Sequence, residues 1–345
     1  MNSLCRLLTA ALVFLSLAPG VETAHAAQPR YIFKVASLAP EGSVWAQRFR
    51  DFVGEVKEKS SGAIDFKIYA GGVMGDDRAM YRKVRVGQLN GGGFTMTGIS
   101  EIVHDFRVLG IPFLFNSYEE VDYVTGQLMP RFEKEFDEKG LVLLALSEVG
   151  FAYTMSTMPI ATLEELKQSK AWAPEGDPIS EELLKMVGVT PIPLSIPDVL
   201  TALQTGLINT AFNSYYGSIV MQWFTRISHI TDIPFAYAYG AFILDKKTFS
   251  RLPPEYAVMI RAAAKTHFNR LLEDTRKSND EALQVLRQSG ITLVEPTAAT
   301  RSELQNNYRE MVAEKLADDA FSRSIYDETV KHLNDFRSQA SSSRP

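Results

Sequence analysis

The chain has 345 residues, 46% of them apolar, and 36 Lys and Arg against 41 Asp and Glu give a formal net charge of −5. That mild acidity supplies no basic field for nucleic acid, and a chain this long exceeds what one hydrophobic core organises, so two lobes are expected. The only cysteine is Cys5, which excludes a disulfide framework, a Cys-based zinc site and thiol catalysis from everything after it.

Arg6, the apolar run Leu7 to Ala18 and the small-residue pattern Ala24-His25-Ala26 are the three parts of a secretory signal peptide. It is predicted over residues 1–27 and implies export to the periplasm. No cysteine follows it for acylation, so no lipid anchor is expected, and no later apolar run nears the about 20 residues that span a bilayer.

Tyr31 to Ser37 reads as a strand and Ser43 to Lys59 as a helix, with Val44, Trp45, Phe49, Phe52, Val53 and Val56 at helical spacing. Ala63 to Ala70 alternates as a half-buried strand, Gly71-Gly72 breaks it, a helix follows from Asp76 to Gly87, and a third strand lies near Phe94 to Thr97. This alternation predicts a parallel-rich sheet flanked by helices. Beyond the apolar Ile111 to Phe115, a helix over Tyr118 to Lys139, capped by Asn116 or Ser117, precedes a buried strand at Leu141 to Ser147.

From Gly150 the pattern restarts. Strands are predicted at Phe151 to Ser156, near Ala171 to Ala173 and near Thr190 to Pro193, alternating with helices at Leu163 to Lys167, Ile179 to Val187 and Pro197 to Thr205. Pro253 to Gln288 starts on two prolines and has none inside, so it reads as one helix of about 50 Å, long enough to brace both lobes. Two further helices are predicted near Ser302 to Ala317 and Ala320 to Phe336. The expected division is lobe I at 28–150 plus about 237–285, lobe II at 151–236 plus about 286–337, and a disordered tail over 338–345.

The fold class is therefore α/β: a two-lobed periplasmic binding protein with a hinge, a lobe-bracing helix and an interlobe cleft suited to a small molecule. Enzyme motifs are missing. His104, His229 and His267 have no metal-ligand spacing, Ser218 lacks a nucleophile elbow, and Gly91-Gly92-Gly93 lacks the lysine of a phosphate loop. No cofactor is expected.

Three segments resemble the DctP-like solute receptors of TRAP transporters, and together they carry the likeness over nearly the whole chain after residue 27. They are GGVMGDDRAMYRKVRVGQL at Gly71 to Leu89, GIPFLF at Gly110 to Phe115, and Pro159 to Asn213. The last contains Gly188, Pro191 and Pro193 and the run ALQTG at Ala202 to Gly206. The resemblance implies a receptor that closes on a small organic solute and delivers it to TRAP membrane permease subunits; the alternative is a periplasmic carrier or sensor of a hydrophobic ligand or partner protein that drives no uptake.

In that family an arginine pairs with the ligand's carboxylate, and its position falls on Trp172 in Lys170-Ala171-Trp172-Ala173-Pro174. A second basic position falls on Ala152, and the family's terminal asparagine on Asn213. A buried bidentate arginine gives two charge-assisted hydrogen bonds of roughly 1.5 to 3 kcal/mol each, which offset carboxylate desolvation. Without it, tight binding of a dicarboxylate is not expected unless Arg78 or Arg107 reaches the cleft.

The candidate ligand-binding residues are Trp172, Asn213, Ala152, Tyr153, Thr95, Ser37, Tyr216 and Asp177. Trp172 is either an indole lining the cleft or core filling. Tyr153 and Tyr216 carry hydroxyls that need partners if buried, and Ser37 and Thr95 stand at strand ends. Asp177 is either the N-cap of the helix starting at Pro178 or, with Glu175, a carboxylate facing the cleft.

Overall fold

The computed structural model describes residues 29–312 and 320–342, so the expected signal peptide over 1–27 lies outside the described residues. The chain begins as expected with β1 (Tyr31–Ser37), α1 (Val44–Lys59), β2 (Ile64–Tyr69), α2 (Asp77–Arg85) and β3 (Gly91–Thr95). A short α3 (Met96–Ile99) and a 3-10 turn (His104–Gly110) lead to α4 (Tyr118–Glu138) and β4 (Leu141–Ser156). The second lobe continues with α5 (Leu163–Lys167), β5 (Trp172–Pro174), α6 (Pro178–Met186), β6 (Ile192–Leu194), α7 (Val199–Thr205), β7 (Thr210–Asn213) and α8 (Tyr215–Val220). Then come β8 (His229–Asp245), α9 (Lys246–Phe249), α10 (Pro254–Gln288), β9 (Thr292–Val294), α11 (Ala298–Met311) and α12 (Arg323–Ser342).

Helices start where the sequence supplies an oxygen for their orphan amides. Ser43 accepts from the Ala46 amide, Asp76 from Ala79, Ser117 from Glu120 and Ser214 from Gly217. Thr162 and Glu165 form a reciprocal capping box on α5.

The main sheet runs β2-β1-β3-β8-β4-β7, with β9 added to β8. It is mixed rather than parallel-rich: β1 pairs in parallel with β2 and β3, whereas β8 is antiparallel to β3 and β4, and β4 to β7. The difference comes from β8, a strand of 17 residues whose apolar alternation is interrupted by Pro234 and Gly240. Pro234 costs no ladder bond, because pairing with β4 lapses between Ala236 and Thr231.

The restart expected at Gly150 is also not a break. β4 is one strand of 16 residues that passes from one lobe into the other, bending at a register shift between Glu148 and Gly150. Gly150 has φ 107°, and a Cβ there would lie 2.6 Å from Asn279 Nδ2 and 2.9 Å from the Tyr118 hydroxyl. Only glycine allows the bend and the close approach of α10 together.

α10 braces both lobes. Ile260, Ala263, Phe268 and Leu271 pack with Phe33, Phe49 and Phe52 in the first core, and Ala282 and Leu286 pack with Trp172, Tyr215 and Trp223 in the second. Between these halves Arg276 donates to both carboxylate oxygens of Glu148 (2.9–3.2 Å) and, through its two terminal nitrogens, to Asp122 on α4 (2.5 and 2.8 Å). Its guanidinium also lies 4.4 Å from the centre of the Tyr118 ring. Asn279, one turn on, donates to the Val149 carbonyl (3.0 Å) and accepts from the Tyr216 amide (3.0 Å).

The C-terminus departs from the expected division. α12 packs on the first lobe, with Ile325 and Leu333 in the same core as Leu128 and Phe132 of α4, and Arg337 pairs with Glu120 (2.8 Å). Its apolar stripe needs a long partner helix, which α4 supplies. The expected tail at 338–345 is corrected in part: α12 continues to Ser342, where Ser338 Oγ donates to the Asn334 carbonyl (2.8 Å), and 343–345 lie outside the described residues.

Glu148 is 0% exposed, and burial pushes its carboxyl above the usual range while Arg276 and the Tyr237 hydroxyl pull it back. Arg276→Met should therefore strand a buried carboxylate and lower the unfolding free energy by about 3 to 5 kcal/mol near neutral pH. A carboxyl whose folded pKa is raised loses its contribution as pH rises through that value, so the deficit should shrink as the medium is acidified. Urea unfolding of both proteins across pH 5 to about 8 checks the size and the sign.

Candidate binding site

Ser37, Thr95 and Asn213 are the last residues of β1, β3 and β7, so three strands from two lobes end at one place. A cavity of about 250 Å³ lies there. Its walls include Ser37, Trp45, Thr95, Glu148, Ala152, Trp172, Asp177, Asn213 and Trp223, with Phe235, Tyr237 and Tyr239 from β8.

Six of the eight sequence candidates line this cavity: Ser37, Thr95, Ala152, Trp172, Asp177 and Asn213. Trp172 is 4% exposed, donates from Nε1 to the Leu194 carbonyl (2.9 Å) and meets the Trp223 ring edge-on at 5.3 Å. It is at once a wall of the cavity and part of the second core. Asn213 Oδ1 accepts from the Ser214 amide (2.9 Å), and no described group accepts from its Nδ2. A Cβ on Gly217 would fall 2.1 Å from that Oδ1, so glycine is what lets the amide lie against the first turn of α8.

The remaining polar groups are largely committed. Ser37 Oγ accepts from the Ala39 amide (3.0 Å), and Thr95 Oγ1 donates to Asp77 Oδ2 (2.5 Å). Asp77 lies behind Thr95, and burial raises its carboxyl to about 7 against the pull of those hydrogen bonds. Asp177 is the N-cap of α6, accepting from the Ile179 amide (3.2 Å) and from the Ser180 hydroxyl; burial raises its pKa, which Ser180 and the charge of Arg107 moderate.

Tyr153 and Tyr216 lie elsewhere. Tyr153 is not in this wall; it packs with the second core, its ring stacked on Tyr215 at 4.1 Å. Tyr216 is a contact between lobes: its hydroxyl accepts from the Val44 amide at the start of α1 (2.9 Å), and its ring meets Trp45 edge-on at 5.1 Å.

Neither arginine held in reserve lines the cleft. Arg78 donates to Glu101 of its own lobe and across to Glu175 (2.8 Å), and Arg107 is buried, donating to the Ala320 carbonyl (3.1 Å). Among the described residues lining the cavity there is no Arg, Lys or His. Trp45, Phe235, Tyr237 and Tyr239 were not expected in the wall. Helical spacing assigns Trp45 to the core, and the three aromatics come from the unexpected strand β8.

The model of bacterial extracellular solute-binding protein, family 7, matches residues 35–319. The chain belongs to this DctP family. The 2,3-diketo-L-gulonate-binding periplasmic protein YiaO of Escherichia coli is 23% identical over 304 residues, covering 84% of this chain and 88% of that protein. The C4-dicarboxylate-binding periplasmic protein DctP of Rhodobacter capsulatus is 22% identical over 241 residues, covering 69% and 72%. The sugar acid binding protein DctPAm of Advenella mimigardefordensis, solved with galactonate, has a TM-score of 0.84 at 19% identity over 89% of this chain and 99% of its own.

As a DctP-family protein the molecule is a TRAP-type extracytoplasmic solute receptor with the two-lobed α/β fold, and the family is one of receptors rather than enzymes. The family is periplasmic, and no helix among the described residues is long and apolar enough to cross a membrane. The ligands named for the three relatives are all acids, whereas the cavity here has the Trp172 indole in its wall and no Arg, Lys or His among the described residues that line it.

The packed and hydrogen-bonded state of that indole sets an expected result. Trp172→Ala should cost about 3 to 5 kcal/mol of stability, as for other emptied core tryptophans. Trp172→Phe, which gives up chiefly the bond to Leu194, should cost about 1 kcal/mol. Denaturant titration checks both; a negligible cost for the alanine change would mean the indole contributes nothing to the second core.

Proposed function

We propose that this receptor captures an uncharged, largely apolar organic solute between its lobes and delivers it to the membrane permease subunits of a TRAP-type transporter. One observation carries the ligand class: the lining has no cationic side chain among the described residues. An anion entering this cleft would lose its hydration, at a cost of several kcal/mol, and gain no countercharge.

A cation is no better served. Glu148 is held by Arg276 and Tyr237, and Asp177 caps α6 with both oxygens engaged. Burial moves Asp177 toward its neutral form, which weakens its pull on a positive ligand. What remains is aromatic and aliphatic surface with a few neutral donors, the Asn213 Nδ2 and the hydroxyls of Ser37 and Ser147, a setting that orients a neutral polar group on an apolar body.

Closure follows from the same geometry, since a ligand touching Thr95 of one lobe and Trp172 of the other holds them together by its preference for the closed form. Thermal-shift screening with neutral, aromatic and aliphatic solutes, amines and organic acids tests the reading. A neutral solute at about 100 times its Kd should add about 2.7 kcal/mol of stability, while succinate and malate should add none. A comparable shift with succinate would overturn the uncharged-ligand reading.

A further inference from the structure

A second cavity, of about 70 Å³, lies inside the second lobe against the first. The two share Phe212, Phe235 and Ser180 as walls. The rings of Phe212 and Phe235 meet edge to face, 5.2 Å apart at 75°, and both residues are only partly buried. Ile160, Leu163, Leu184 and Val187 form much of the inner surface, and Leu304 of α11 closes it from outside.

The polar side chains of this chamber are mostly occupied elsewhere. Thr231 Oγ1 donates to the Ile160 carbonyl (2.7 Å), Thr162 caps α5, Thr300 pairs with Thr297 (2.8 Å), and Ser180 donates to Asp177. Thr154 is the exception, with no side-chain partner among the described groups. A buried water wants about two to four polar partners, so one free hydroxyl does not hold it, and an apolar chamber of this kind takes an apolar guest.

We infer that the chamber is the tail pocket of the same site, receiving the terminal alkyl segment of an uncharged amphiphile whose polar end lies in the main cleft beside Asn213. Phe212 and Phe235 form the partition and turn aside to admit the chain. This rests on the reading of an uncharged solute given above. At about 10 to 15 Å³ for each water-sized group, the chamber takes about five to seven such groups, or a tail of about five to seven carbons.

Calorimetric titration of the full receptor with primary alkanamides of increasing chain length, from butanamide upward, tests the inference. Each carboxylate of matching length serves as the comparison. Affinity should rise about fourfold per added methylene and stop rising once the tail pocket is full. Leu304→Phe should move that stopping point to shorter chains, and Val187→Ala, which enlarges the chamber, should move it to longer ones. The second variant keeps the test open should the first fail to fold. Affinity independent of chain length, or a stopping point unmoved in the folded variants, overturns the tail pocket while leaving the uncharged-solute reading standing. Carboxylates that bind as tightly as amides with the same length dependence support the tail pocket and overturn the uncharged head. An absence of binding by any amide overturns both.

Discussion

Arg276 sits where the two lobes, the bracing helix and the cleft meet, and its three attachments determine what the cleft can be. It holds Glu148 at the bend of β4, Asp122 on α4 and the face of Tyr118, while the helix carrying it packs into both cores. Glu148, beside the bend at Gly150, is one of the residues that line the cavity, and an unpaired charge there would dominate the field. Because Arg276 approaches from α10, that charge is neutralised without any cation entering the lining. The one carboxylate at the bend of β4 is thus answered by a side chain that stands outside the lining.

Much of this was legible in the sequence, and the rest was hidden for physical reasons. Caps such as Ser43, Asp76, Ser117 and Thr162 announce helix starts, because a side-chain oxygen ahead of an apolar periodic run has few other uses. The cavity positions at Trp172, Ala152 and Asn213 came from the family frame and not from periodicity, which cannot tell a cleft wall from a core. β8 escaped because Pro234 and Gly240 break its pattern, and with it went Phe235, Tyr237 and Tyr239. Tyr153 lies outside the wall because its ring is taken up by Tyr215, a contact between separate segments that the sequence does not announce. The pairing of α12 with α4 is a contact between distant segments, and a stripe of apolar residues does not name its partner.

The lobes touch through groups that do not depend on a ligand. Arg78 bridges to Glu175 across the rim, and Tyr216 accepts from the first amide of α1 behind the cleft. Rim-exposed ion pairs contribute about 0 to 1 kcal/mol, but a hydroxyl bonded to a helix's orphan amide answers a need that exists whether or not solute is bound. Such contacts join the lobes in this arrangement. On the reading proposed above, a solute that prefers this arrangement need supply only part of the differential affinity, which suits a ligand that offers dispersion and burial rather than strong ionic bonds.

An apolar cleft of this kind selects unevenly. Against ions it discriminates steeply, since each unpaired charge carries a desolvation cost of several kcal/mol. Among neutral solutes differing by one methylene it discriminates by only about 1 to 3 kcal/mol, and it rejects an added hydroxyl no better. Trp172 contributes to both tendencies. Its Nε1 is already bonded to Leu194, so it presents the cavity with ring surface and no unsatisfied donor to demand a matching acceptor. In that reading the Asn213 Nδ2 orients the guest, and the chamber behind Phe212 and Phe235 measures its length. On the reading proposed above, selectivity in this receptor rests on the size and shape of an apolar body rather than on a countercharge in the lining.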